Sequence, residues 1–259
     1  QAIAAAEAHV PFGLPEDAER TGRLASVLAV IYLIFNEGYS ATAGDHWMRP
    51  ALCEEALRLG RILAELAPKE AEVHGLVALM ELQASRLHAR VSPSGEPILL
   101  LDQNRARWDY LLIGRGLAAL ARAEKLGGMR GTYALQAALA ACKARARSAE
   151  ETGWARIVAI YDALAQLAPS PIVELNRAVA LGMAYGPAAG LELVEQLTAE
   201  PSLAKYHLLP SVRGDLLARL GRFDAARADF ERAAALTHNR RERELLLERA
   251  RTVGREQDE

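Results

Sequence analysis

Apolar residues in this chain recur at steps of three and four, segment after segment. Leu52, Ala56, Leu59, Leu63 and Leu66 form one series. Val73, Leu76, Val77, Met80, Ala84 and Leu87 form a second, and Ile157, Ile160, Tyr161, Leu164 and Leu167 a third. That spacing lines up side chains on one face of a 3.6-residue helix, whereas a strand would need strict alternation. Composition points the same way. Ala, Leu, Glu and Arg dominate, all strong helix formers, and aromatics are only 5%. With 51% hydrophobic and 25% charged residues, the chain has enough apolar surface to fold. Its 259 residues allow one large domain or two modest ones.

Gly and Pro divide the periodic segments at intervals suited to helical hairpins. Pro15 with Glu16, Asp17 and Glu19 suits an acidic first turn. That helix should end near Asn36-Glu37-Gly38. The next starts near Pro50 and stops at Pro68. Pro93, Ser94, Gly95 and Pro97 break any helix between residues 91 and 101, and the flanks of this stretch (90–101) either pair as a short β-hairpin or form a plain loop. Asp102 can cap a helix beginning near Gln103. Gly127-Gly128 ends that helix and Thr132 opens another. Ser148 to Glu151 reads as a capping box, followed by a helix from Trp154 to Leu167. Ser170-Pro171 supplies an N-cap and a first-turn proline for the next, Gly186-Pro187 marks a further start, and Pro201 begins another helical pair.

Between His207 and His238 the pattern tightens. Gly214, Gly221, Phe223, Ala226, Phe230 and Ala233 have the spacing of small and aromatic residues in a tetratricopeptide helix-turn-helix. Gly221 lies 35 residues after Gly186, near the usual period of about 34. The charged run 239–251 suits a solvated helix that caps a solenoid. The expected fold is therefore all-α, with helical hairpins stacked as a tetratricopeptide-like right-handed α-solenoid. An N-terminal helical part spans 15–147 and a repeat part 148–252, with a tail at 253–259.

The net charge is −2, from 31 Lys plus Arg against 33 Asp plus Glu. A domain that lives on phosphate contacts is usually basic, so this balance argues against a chain that grips DNA by itself. The longest apolar run, 24–35, is too short for a spanning helix, which needs about 20 residues. No signal-peptide pattern opens the chain. Cys53 and Cys142 are far apart and read as two reduced, buried thiols of a cytoplasmic protein. The first residue is Gln1 rather than Met, as expected of a piece of a longer protein.

The segments YLIFNEGY (32–39), LCEEALRLGRILAELAP (52–68), LLLDQNRARWD (99–109), YALQAALAAC (133–142), YDALAQLAPSPIVELNRAVA (161–180) and LARLGRFDAARADFERAAALT (217–237) occur in this order. This series resembles the C-terminal region of extracytoplasmic-function (ECF) sigma factors that carry a tetratricopeptide-repeat extension, over residues 9–250. The resemblance implies two sigma domains upstream. One would open promoter DNA and hold RNA polymerase, and the other would read a promoter element through a helix-turn-helix. Neither is visible in this chain, and no position matches the family's DNA-contacting residues. Residues 1–14, with His9-Val10-Pro11-Phe12, look like the linker from the sigma region. The resemblance thus implies an accessory, non-enzymatic regulatory domain. Its partners would be the sigma domains, RNA polymerase or a regulator, with DNA contacted only through the sigma domains. The rival expectations are a stand-alone repeat scaffold for an unrelated protein, and a small-molecule sensor with its pocket between the two halves.

Phe35, Asn36, Glu37 and Tyr39 form the most distinctive motif. They either line a partner surface or close a helix C-terminus, with Asn36 and Gly38 in left-handed φ. Asp102, Arg105 and Trp108 either form a recognition patch or tie the two halves together, with Arg105 and Asp109 able to pair at i, i+4. Asn176 and Arg177 bond a neighbouring helix or face the groove. Six histidines (His9, His46, His74, His88, His207 and His238) show no metal-ligand spacing. Glu54-Glu55 and the pair Glu70 and Glu72 sit on faces expected to be solvated. There is no nucleophile elbow, phosphate loop or dinucleotide fingerprint. No catalytic, cofactor-binding or metal residue is therefore expected, and oligomeric state is not set by the sequence.

Overall fold

The computed structural model describes residues 17–254. The expected linker at 1–14, Pro15 and Glu16 of the expected first turn, and the tail beyond Gly254 lie outside them. Among the described residues eleven α-helices follow one another: α1 (Asp17–Tyr39), α2 (Pro50–Leu66), α3 (Ala71–Ala84), α4 (Tyr110–Lys125), α5 (Thr132–Arg145), α6 (Trp154–Leu167), α7 (Pro171–Ala184), α8 (Pro187–Leu197), α9 (Leu208–Arg219), α10 (Phe223–Leu236) and α11 (Arg240–Thr252). The fold is all-α, its hairpins stacked neighbour on neighbour in a solenoid-like array. No described helix is long and apolar enough to cross a membrane.

The first five helices wrap around α3, which packs against α1, α2, α4 and α5. The one-sided pattern expected of this segment is therefore incomplete. Every residue from Val73 to Leu82 is buried, including His74 and Glu81. A helix surrounded by others has no solvent stripe to show. Glu72, expected on a solvated face, instead reaches the start of α5. Its carboxylate accepts from the amides of Tyr133 (3.0 Å) and Ala134 (3.1 Å), which satisfies two N–H groups left free at a helix N-terminus.

From α6 onward each helix packs on the next. In the α9–α10 hairpin, a Cβ at Gly214 would come within 2.9 Å of the Phe230 ring and 3.2 Å of the Ala226 carbonyl, so the small residue sets the helix separation. The same twelve-residue step joins Ala178 to Gly190 across α7 and α8. The apolar clusters overlap across residue 147, because Leu135 and Leu139 of α5 pack with Ile157, Val158 and Leu164 of α6.

Several helix ends differ from expectation. Only half of the expected Ser148 to Glu151 box forms, around an isolated turn: the Glu151 amide donates to Ser148 Oγ, the Glu151 carboxylate accepts from the Arg147 amide, and α6 starts only at Trp154. Pro201 opens a single 3-10 turn, Pro201–Leu203, and α9 begins at Leu208. The stretch 90–101 makes one antiparallel bridge, Val91 with Pro97, and no strand pair.

The two ends of the array meet. Ala43–Gly44 (β1) and His238–Asn239 (β2) pair in parallel, with Ala43 opposite His238 and Gly44 opposite Asn239. Asn239 is fully buried there, and its amide donates to the carbonyls of Ala41 (3.1 Å) and His46 (2.9 Å). The array is closed on itself rather than open-ended.

Candidate functional site

The motif at the end of α1 is structural at its core and polar at its edge. Phe35 is fully buried and stacks on Tyr39 at 5.7 Å. Glu37 holds the following loop: one carboxylate oxygen accepts from the Thr42 amide (3.2 Å) and hydroxyl (3.0 Å), and the other faces Arg49 at 3.1 Å. Asn36 lies beside the Tyr32 hydroxyl, one helical turn away. The expected left-handed cap is absent, because α1 continues to Tyr39 and Gly38 does not have positive φ. Gly38 is needed for a different reason. A Cβ there would lie 2.7 Å from the Cys53 amide nitrogen, so α1 and α2 could not touch. The Cys53 thiol donates to the Phe35 carbonyl, and burial pushes its pKa up to about 11, away from reactivity.

Tyr39 opens onto a group of cations. Arg86 donates to its hydroxyl at 2.6 Å, and the Arg90 guanidinium lies 3.5 Å from its ring centroid. Arg90 is also 4.5 Å from the Trp47 ring, so two aromatic faces hold a buried charge. Burial lowers the Arg90 pKa, and its Nε has no hydrogen-bond partner.

Trp108 is buried rather than displayed, which rules out the expected recognition patch at this residue. Its ring receives Arg105 at 4.7 Å and Arg86 at 5.8 Å. Arg105 does not pair with Asp109. It donates to the carbonyls of Lys143 (2.7 Å) and Ala146 (2.9 Å), closing the C-terminus of α5. Asp109 instead caps α4, accepting from the amides of Leu111 (2.9 Å) and Leu112 (3.0 Å). Asp102, the cap expected from the sequence, lies exposed at the end of a 3-10 turn, eight residues before α4 begins at Tyr110. Arg177 ties α7 to α6 through Asp162 at 2.7 Å and also bonds Glu174 at 2.9 Å.

Residues 23–124, from within α1 to the last turn of α4, match the model of a family described as a family of unknown function, DUF6596. A protein of Rhizobium meliloti (strain 1021), named Uncharacterized protein R00370, is similar at 45% identity over 234 residues. The match covers 90% of this chain and 55% of that protein. The chain spans about half the length of this curated relative.

A cavity of about 410 Å³ lies where α3 and α5 face α6 and α7. Tyr32, Gln83, Arg86, Gln136, Lys143 and Tyr161 supply its polar wall, and Asn176 borders it. Of the residues singled out in the sequence, the structure thus gathers Tyr39, Arg105 and Trp108 around Arg86, with Asn176 on the far side of the cavity. Asp102 and Arg177 lie apart. Sequence reasoning missed Arg86, Arg90 and Lys143. A signal for them exists: no Asp or Glu occurs between Glu81 and Glu96, nor between Glu124 and Glu150. These two uncompensated stretches disappear in a net charge of −2.

A second feature is apolar. Val27 and Val30 of α1 and Ile62 and Leu66 of α2 are exposed, and with Ile34 and Leu63 they border an open groove. Scattered exposed apolar residues are ordinary, but a contiguous apolar groove marks an interaction surface.

Proposed function

We propose that this chain is a regulatory module of a bacterial ECF sigma factor, working by contact with the sigma domains or RNA polymerase and not by catalysis. The observation that carries this reading is the apolar groove between α1 and α2. It lies on the first described helix, the side on which the resemblance places the sigma domains. The curated relative is nearly twice as long as the matched stretch, which leaves room for such domains. The α9–α10 hairpin, with Gly214 against Phe230 and Ala226, has the close packing of a tetratricopeptide unit. In this reading promoter DNA is touched only by the sigma domains, and the module resides in the cytoplasm.

The test is a pull-down of the chain with separately produced sigma domains and with polymerase core. Wild type should be retained on at least one. Val30→Asp with Ile62→Asp, both at exposed positions, should weaken retention by about tenfold or more. Retention on neither partner would sink the proposal.

A further inference from the structure

The cavity between the two halves holds charge in an unusual way. Elsewhere several buried or half-buried carboxylates face a cation, and the buried Arg90 is held between two aromatic rings. Glu81 faces Arg61 at 2.8 Å, Asp229 faces Arg213 at 3.1 Å, and Glu242 faces His207 at 3.0 Å. Arg86 of α3 and Lys143 of α5 line the cavity together, and no carboxylate lines it with them. Neither forms an ion pair with any described residue. Both are half-buried, and a half-buried cation with no carboxylate beside it gains from an anion that supplies the missing charge. Burial, and then the nearby Arg86, pull the Lys143 pKa down to about 8. Burial and Arg86 thus destabilise the ammonium, and an anion beside it would relieve that cost.

The remaining walls define what the anion must look like. Tyr32 donates to Gln136 Oε1 at 3.1 Å, which turns the Gln136 amide into a further donor. Burial pushes the Tyr161 phenol up to about 12, so it stays protonated and able to donate. The N-terminus of α7 borders the cavity at Ser170 and adds its partial positive charge. Leu139, Leu164 and Val173 add hydrocarbon to the same lining. A volume of about 410 Å³ falls within the range of small-molecule pockets.

We propose that this cavity binds a small organic anion, with its carboxylate or phosphate head at Arg86 and Lys143 and its apolar body along Leu139, Leu164 and Val173. Such a ligand would bridge α3 and α5 to α6 and α7, and its presence would be felt in how the two halves pack. The proposal does not rest on the sigma-factor reading, since it needs no protein partner.

Isothermal titration of the whole chain tests it, with benzoate and phenyl phosphate as probes and inorganic phosphate as the tail-less control. At least one probe should bind with a Kd below about 1 mM, and inorganic phosphate should bind about tenfold or more weakly than phenyl phosphate. The preferred head group separates a carboxylate ligand from a phosphate one. Lys143→Met keeps the side-chain length without the charge and should weaken binding by about tenfold or more while leaving the helical circular dichroism unchanged. Three results would overturn the proposal: no heat from either probe at about 10 mM, equal affinity for inorganic phosphate, or undiminished binding by a folded Lys143→Met chain.

Discussion

Lys143 is a charge that this fold would be more stable without. Arg86 from α3 faces it across the cavity, with Tyr32 of α1 and Tyr161 of α6 in the same wall. Its folded pKa near 8 lies below the ordinary lysine value of 10.5. Below pH 8 both folded and unfolded chains carry the proton, and the folded chain bears the full desolvation cost. Between pH 8 and 10.5 the folded chain has released its proton while the unfolded chain has not, so stability contributed by this group rises with pH. Lys143→Met should therefore be more stable than wild type at neutral pH, by on the order of 2 kcal/mol or about 4–8 °C in Tm. The advantage should shrink steadily above pH 8. Thermal melts of both chains across pH 6 to about 10 measure this, and an advantage that stays constant with pH would assign it to packing instead. None of this was visible in the sequence, where Lys143 sits among alanines like any surface lysine. Tyr39 and Trp108 did stand out, because large aromatics are rare in this chain. Their role as platforms for Arg86, Arg90 and Arg105 needed the third dimension.

Helices were legible where their own ends carry the signal. Ser170-Pro171 opens α7, with Ser170 Oγ accepting from the Ile172 amide, because cap and proline act on adjacent residues. Two aspartates show where such reasoning stops. Asp102 and Asp109 are equally good caps as residue types, and the sequence reading names only Asp102. The backbone decides otherwise. Asn104 closes a short 3-10 turn at Arg105–Arg107, and the Asp109 amide donates to the Ser85 carbonyl at 2.7 Å, which fixes the chain where α4 must start. Asp109→Ala should cost about 1 kcal/mol, the usual loss for an N-cap. Asp102→Ala, at an exposed side chain, should stay within about 0.5 kcal/mol of wild type. Urea unfolding of the two variants checks the pair, and an equal loss in both would show that Asp109 is not the cap that matters. The all-round burial of α3 was hidden for a related reason. Periodicity reports a helix with one wet side, and α3 has none.

At the scale of the molecule, the meeting of β1 with β2 joins residues nearly two hundred positions apart, and no local pattern announces it. Asn239 does two jobs there. Its Oδ1 caps α11 through the amides of Arg241 (3.0 Å) and Glu242 (3.2 Å), while its Nδ2 donates to the Ala41 and His46 carbonyls. The first job serves the helix that follows; the second closes the array. An open solenoid unfolds by nearest-neighbour steps from its ends, whereas a closed one must break its seam first. The two jobs can be separated. Asn239→Asp keeps an acceptor for the cap but loses the donors and sets a carboxylate against two carbonyl oxygens. It should cost about 2–4 kcal/mol, more than the roughly 1 kcal/mol that loss of a cap alone would cost. The loss should also be distributed in a particular way. Amide exchange should quicken both in α11 and at Ala41, whose amide donates to the Trp47 carbonyl, while α3 keeps its protection. If exchange quickened in α11 alone, the seam would be a contact of convenience, and the array would behave as an open solenoid whose last helix happens to touch its first loop.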